Sequence, residues 1–213
     1  MNKEEKRLAA ERRRAARLCA FEERCARLRE EGREQKDCTV GLTAANVWGI
    51  LSALPFAAAA AVAFILRGGA RIALTGSFLA DLGLLALAVI ASIPVHEGLH
   101  GLLWAAANRS FSGIRFGIAG FTPYCACEKP MGRAKYMLGS LAPFALLGAA
   151  PCAAAFFTRS LFALILGIFG ILCAGADIFV SVRAMAAGKG VLLDHPERCG
   201  FYLFRTPAPQ ARQ

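Results

Sequence analysis

Residues 78–104 read FLADLGLLALAVIASIPVHEGLHGLLW. About 20 mostly apolar residues suffice to cross a bilayer, so this run predicts a transmembrane helix. Yet it carries Asp81, His96, Glu97 and His100. A charge at the centre of a span costs about 2.5–3.5 kcal/mol at least, and an ionisable residue there points to function. Three of them within five positions need a compensating partner, and a metal cation is one.

Three further runs are long and apolar enough to span: residues 44–66, 136–157 and 161–182. The last carries Asp177, and the other two carry no charge. The link Arg67–Gly76 reads as a turn, and Thr158–Ser160 is tight enough to make the last two spans an antiparallel hairpin. The predicted fold class is an all-α membrane protein with four transmembrane helices. Composition agrees. Of 213 residues, 56% are hydrophobic and only 19% charged, against about 45–50% and 25% in soluble domains, and the mean hydropathy is +0.47. A disordered or collagenous chain is excluded. The pI of 9.6 comes without a basic surface interleaved with aromatics, so no nucleic-acid partner is expected.

The charge sits at one end. Residues 1–37 hold 12 of the 25 Lys+Arg and 9 of the 15 Asp+Glu. This extension is rich in helix formers, with Leu18, Phe21, Cys25 and Leu28 as a narrow apolar stripe. It reads as a solvated helix near the headgroups, a short coiled-coil or partner-binding helix being the alternative. It does not read as a signal peptide, because some forty polar residues precede the first apolar run. With the amino terminus inside, 22 Lys+Arg lie on the inner side and three, Arg67, Arg71 and Arg159, outside. Both termini are therefore expected in the cytoplasm. The domains expected are a charged helical extension, 1–40; a membrane domain, 41–204; and a flexible tail, 205–213.

The eight cysteines fall on that reducing side or within spans, so no disulfide framework is expected. Cys125-Ala126-Cys127 is too closely spaced for a zinc knuckle and reads as two strand residues on one face. The surrounding Ser112–Cys127 alternates about Ala119-Gly120, with Phe121 opening the second half, and predicts a short β-hairpin after the second span. Pro123 confines its strand to an edge, where an extended substrate could add a strand. A re-entrant or interfacial loop is the alternative.

His96-Glu97-Gly98-Leu99-His100 places two imidazoles one turn apart on one helix face. Such a pair can hold one zinc ion, with Glu97 reaching its water as general base. The same geometry excludes a shared haem, whose two ligands stand on opposite faces. Helix-end residues that simply pair with polar neighbours are the plainer alternative. A catalytic zinc site usually takes a third protein ligand. Asp177 is the best candidate, on a face with Gly170, Cys173, Ala174 and Ser181 and at a depth matching His96. It could instead be a buried carboxylate paired with an arginine, and Asp194 and His195 are other contenders.

The stretches PVHEGLHGLLW, GIRFGIAGFTPYCACEKPM, LGSLAPF, CAGADIFVSVRAM and DHPERCGF resemble the zincin peptidases, small bacterial membrane proteins akin to the site-2 intramembrane metalloproteases. The resemblance covers roughly residues 44–204. It implies Zn2+ on His96, His100 and Asp177, with Glu97 as catalytic base, although the site-2 proteases carry their aspartate in an Asp-Gly pair and Asp177 is followed by Ile178. The expected activity is hydrolysis of a peptide bond in a membrane-associated protein, within the bacterial cytoplasmic membrane. The partners expected are a membrane protein or peptide substrate and the lipid bilayer, with homo-oligomerisation left open. A zinc-stapled scaffold or partner-binding module without catalysis is the other class, and an ion transporter a weaker third.

Overall fold

The computed structural model describes residues 2–71, 74–119 and 122–207. Gly120 and Phe121 of the expected hairpin, Ile72 and Ala73 of the first link, and tail residues 208–213 lie outside the described residues.

Helix α1 (Lys3–Glu30) opens on a capping box between Asn2 and Glu5. Two long apolar helices follow, α2 (Leu42–Arg67) and α3 (Phe78–Asn108). Next come α4 (Arg133–Pro143) and α5 (Ala150–Thr158), which a π-helical turn over Phe144–Ala149 joins into one continuous helix. The wide turn has a local cause: Pro151 has no N–H to bond the Leu147 carbonyl. Helices α6 (Leu161–Cys173) and α7 (Gly175–Ala187) complete the set.

Three helices are long and apolar enough to cross a membrane, or four if α6 and α7 count as one bent span. That bend is 50° and divides what the sequence presents as one straight span. Gly170 and Cys173 therefore lie on α6, whereas Asp177 lies in the first turn of α7. The new helix is steered by glycines. A Cβ on Gly175 would stand 2.4 Å from the Gly49 carbonyl oxygen, and one on Gly49 would stand 2.8 Å from the Ala176 nitrogen. Only there can α2 and α7 cross backbone to backbone. Large apolar side chains such as Ile65, Leu66, Phe78, Leu79, Leu87 and Ile90 stay exposed along α2 and α3.

The expected hairpin is present as β2 (Ile114–Ala119) and β3 (Thr122–Cys127), an antiparallel pair. A second sheet goes beyond the all-α expectation. It joins β1 (Glu34–Val40), β4 (Met131–Gly132), β5 (Val191–Asp194) and β6 (Cys199–Arg205) in the order β1-β6-β5-β4. The end of the extension and the start of the expected tail are thus paired strands. Leu192, Phe201 and Leu203 turn one face toward Trp104, Tyr136, Val180 and Ala184 of the helices. Leu193 and Phe204 turn the other face toward Phe21, Cys25 and Leu28 of α1. The apolar stripe of α1 is therefore buried on its own sheet rather than presented to headgroups or to a coiled-coil partner.

Because the α2–α7 crossing tolerates no side chain, Gly49→Val should destabilise the protein by about 1–3 kcal/mol, as overpacking does. Thermal denaturation in detergent checks this; an unchanged midpoint would show that the crossing can open freely.

Candidate metal centre

His96 and His100 lie one turn apart on α3 and are both buried, at 8% and 4% exposure. Their ring centroids stand 4.9 Å apart. Asp177 meets both: His96 Nε2 to Oδ2 is 3.2 Å and His100 Nε2 to Oδ1 is 3.4 Å. One ligand atom from each of the three residues lies within 4.8 Å of the others. Among the described residues this is the one His/Cys/Asp/Glu group able to hold a metal ion.

The tautomer is fixed from the far side of the ring. His100 Nδ1 lies 2.9 Å from the Gly139 carbonyl oxygen, which can only accept, so Nδ1 carries the hydrogen. In the neutral ring Nε2 then directs a lone pair at the carboxylate. Two facing acceptors call for a proton or a metal cation between them. The distances suit zinc: two ligand atoms each about 2.0–2.2 Å from the ion at a tetrahedral angle stand roughly 3.4 Å apart. The carbonyl that orients His100 is the outer-shell support metal-binding histidines usually have.

Gly139 makes this possible by being small. A Cβ there would lie 2.2 Å from the Trp104 indole. That indole stacks on His100 at 5.3 Å and donates from Nε1 to the Tyr136 carbonyl oxygen at 3.0 Å. Trp104 is thus part of the core, 4% exposed. Ser140 links α4 to α7, its hydroxyl 3.4 Å from the Asp177 carbonyl oxygen and 3.2 Å from Ser181 Oγ. At the first turn of α7, Asp177 also sits where the helix dipole favours a carboxylate.

Glu97, half-buried, lies beside the hairpin, with the Cys125 backbone near its carboxylate. The hairpin is seated on α3 at Gly101, against Ile114 and Phe116. Cys125 and Cys127 are strand residues on one face, as expected. Burial pushes both thiols up, Cys127 to about 11, and all eight cysteines are free.

The other contenders lie elsewhere. Asp194 accepts the Cys127 N–H at 2.9 Å, and burial raises its carboxyl to about 6. His195 Nδ1 accepts from the Glu197 and Arg198 N–H groups, and its ring packs on Phe21. Asp177 has histidine partners rather than an arginine.

Residues 89–192 match the family model described as "Putative zincin peptidase". The match includes His96, Glu97, His100, Gly139 and Asp177 and omits α1 and α2. No curated protein and no solved structure matches the chain. The zincin match makes the chain a candidate metallopeptidase and implies zinc for the three-residue group.

Gly139→Ala should displace either Trp104 or the His100 anchor and weaken zinc binding roughly 10- to 100-fold, the usual cost of losing outer-shell support. Competition with a chromogenic chelator measures this, and unchanged affinity would remove Gly139 from the centre.

Proposed function

We propose that the chain is a membrane-embedded zinc metallopeptidase that hydrolyses a peptide bond of a membrane-associated protein. The carrying observation is the convergence of His96, His100 and Asp177, with Glu97 adjacent on the same helix. The zincin match over residues 89–192 supports the same chemistry.

His96, His100 and Asp177 would hold the ion. When bound, zinc supplies a Lewis acid that polarises the scissile carbonyl and makes water a stronger nucleophile. Glu97 takes the proton of the attacking water on its carboxylate and passes it to the leaving nitrogen. Gly139 holds the His100 ring in the orientation that turns Nε2 inward. Burial of His96 and His100 among apolar helices lowers the local dielectric and strengthens these interactions.

The outer edge of β3 is the proposed place for the substrate to extend. Glu128 N–H donates to the Gly113 carbonyl oxygen at 2.8 Å. Bonded and non-bonded pairs alternate in an antiparallel ladder, so Cys125 turns its backbone groups outward, away from β2, as does Cys127, whose N–H is taken by Asp194. Pro123 occupies an outward position too, and its missing N–H costs the hairpin nothing. A peptide strand added at this edge lies beside Glu97. We place α2, α3, the helix Arg133–Thr158 and the bent pair α6–α7 in the bacterial cytoplasmic membrane. The distribution of Lys and Arg supports termini, hairpin and site on the cytoplasmic side.

Purified wild-type protein should hold about one zinc per chain, lost in His96→Ala. Glu97→Gln should keep the metal and lose at least about 100-fold of peptide cleavage, the usual weight of a general base. Cleavage that persists in Glu97→Gln ends the peptidase proposal. Unfolding on metal removal, with normal cellular behaviour of Glu97→Gln, would favour the zinc-stapled scaffold.

A further inference from the structure

Between α1 and the outer face of the hairpin lies a cleft lined by Arg17, Phe21, Arg24, Arg115, Tyr124 and Glu128. Its charges do not balance. Glu128, only 17% exposed, receives both Arg24, at 3.5 Å, and Arg115, at 3.3 Å. Arg17 donates from Nη1 to the Tyr124 hydroxyl at 3.2 Å; among the described residues it makes no close ion pair, and the carboxylate its charge reaches, Glu197, is already bonded to Arg14. Asp194, which also lines the cleft, is committed to the Cys127 N–H. One guanidinium therefore keeps most of its five donors unspent at a half-enclosed position.

The cleft is one strand residue away from the chemistry. Side chains alternate along the hairpin. Ile114 and Phe116 face Gly101 of α3, while Arg115, Tyr124 and Ala126 line the cleft beneath α1. Cys125, between Tyr124 and Ala126, brings its backbone near the Glu97 carboxylate. A peptide extended along the outer edge of β3 thus places every second side chain on the α1 side, beside Arg17.

We propose that this cleft binds an acidic side chain of the peptide substrate and that Arg17 is the residue that selects it. The proposal rests on the peptidase function and adds a substrate class to it. The planar guanidinium fork matches a carboxylate, and charge-assisted bonds of this kind are about twice as strong as neutral ones. Peptide is favoured over a lipid headgroup because the wall opposite α1 is the strand that approaches Glu97. Both Arg17 and Arg24 lie outside residues 89–192, the zincin match, so the selectivity comes from the extension and the chemistry from the matched segment.

The test uses the full chain carrying Glu97→Gln, in nanodiscs of zwitterionic lipid. Fluorescent decapeptide mixtures, with Asp, Asn or Lys fixed at one position and the others randomised, are titrated by anisotropy. At one position the Asp mixture should bind about tenfold more tightly than the Asn mixture, a difference of about 1.4 kcal/mol. Adding Arg17→Glu should invert the order so that Lys exceeds Asp, with zinc content as the check on folding. An order unchanged by Arg17→Glu, or no charge preference at any position, overturns the proposal. So does acidic-peptide binding that anionic lipid in the disc abolishes with the same dependence on Arg17, since the cleft then serves a headgroup phosphate. Cleavage by the chain with Glu97 restored is read separately. Cleavage without charge preference removes the cleft and leaves the peptidase, and charge-selective binding without cleavage does the reverse.

Discussion

A carboxylate and two imidazoles converge in an interior built mostly from apolar side chains, and a buried group of this kind calls for a metal cation or a proton among them. Much of the helix arrangement serves that convergence. The histidines are one turn apart on α3. Gly139 lets α4 approach until its carbonyl reaches His100, and the same missing side chain leaves room for the Trp104 indole. The fourth apolar stretch stops at Ala174 and restarts at a new angle, which delivers Asp177 from a first turn. Without an ion, the buried carboxylate is balanced only by protonated rings.

The candidate site was legible in the sequence because ionisable residues are scarce in the long apolar runs. In a stretch so poor in charge, His96, Glu97, His100 and Asp177 stand out without any structural knowledge. The supporting residues carried no such signal. Gly139, Ser140 and Ser181 are small residues in apolar runs, indistinguishable from those that merely let helices pack. Only their contacts, a carbonyl on Nδ1 and hydroxyls bridging α4 to α7, give them roles.

The sheet was illegible for a different reason. β1 reads EQKDCTV, polar and nearly without alternation, and only Cys38 of it is buried. Its identity as a strand depends on β6, which lies at the other end of the chain. The stripe on α1 was visible but its target was not, since Leu193 and Phe204 become a surface only once β5 and β6 have paired. Local pattern predicted the helices and the hairpin, while the long-range pairing was decided by partners far apart in sequence.

The strand order β1-β6-β5-β4 imposes a timetable on biogenesis. β1 touches the sheet only through β6, so the first forty residues cannot take their places until residues 199–205 have been synthesised. By then the apolar helices α2 to α7 have all been synthesised. Long-range pairing is slow to form, and here it closes the structure last, like a clasp joining the two ends of a bracelet. The seat for α1, and with it the wall facing the hairpin, is completed only once β5 and β6 are in place.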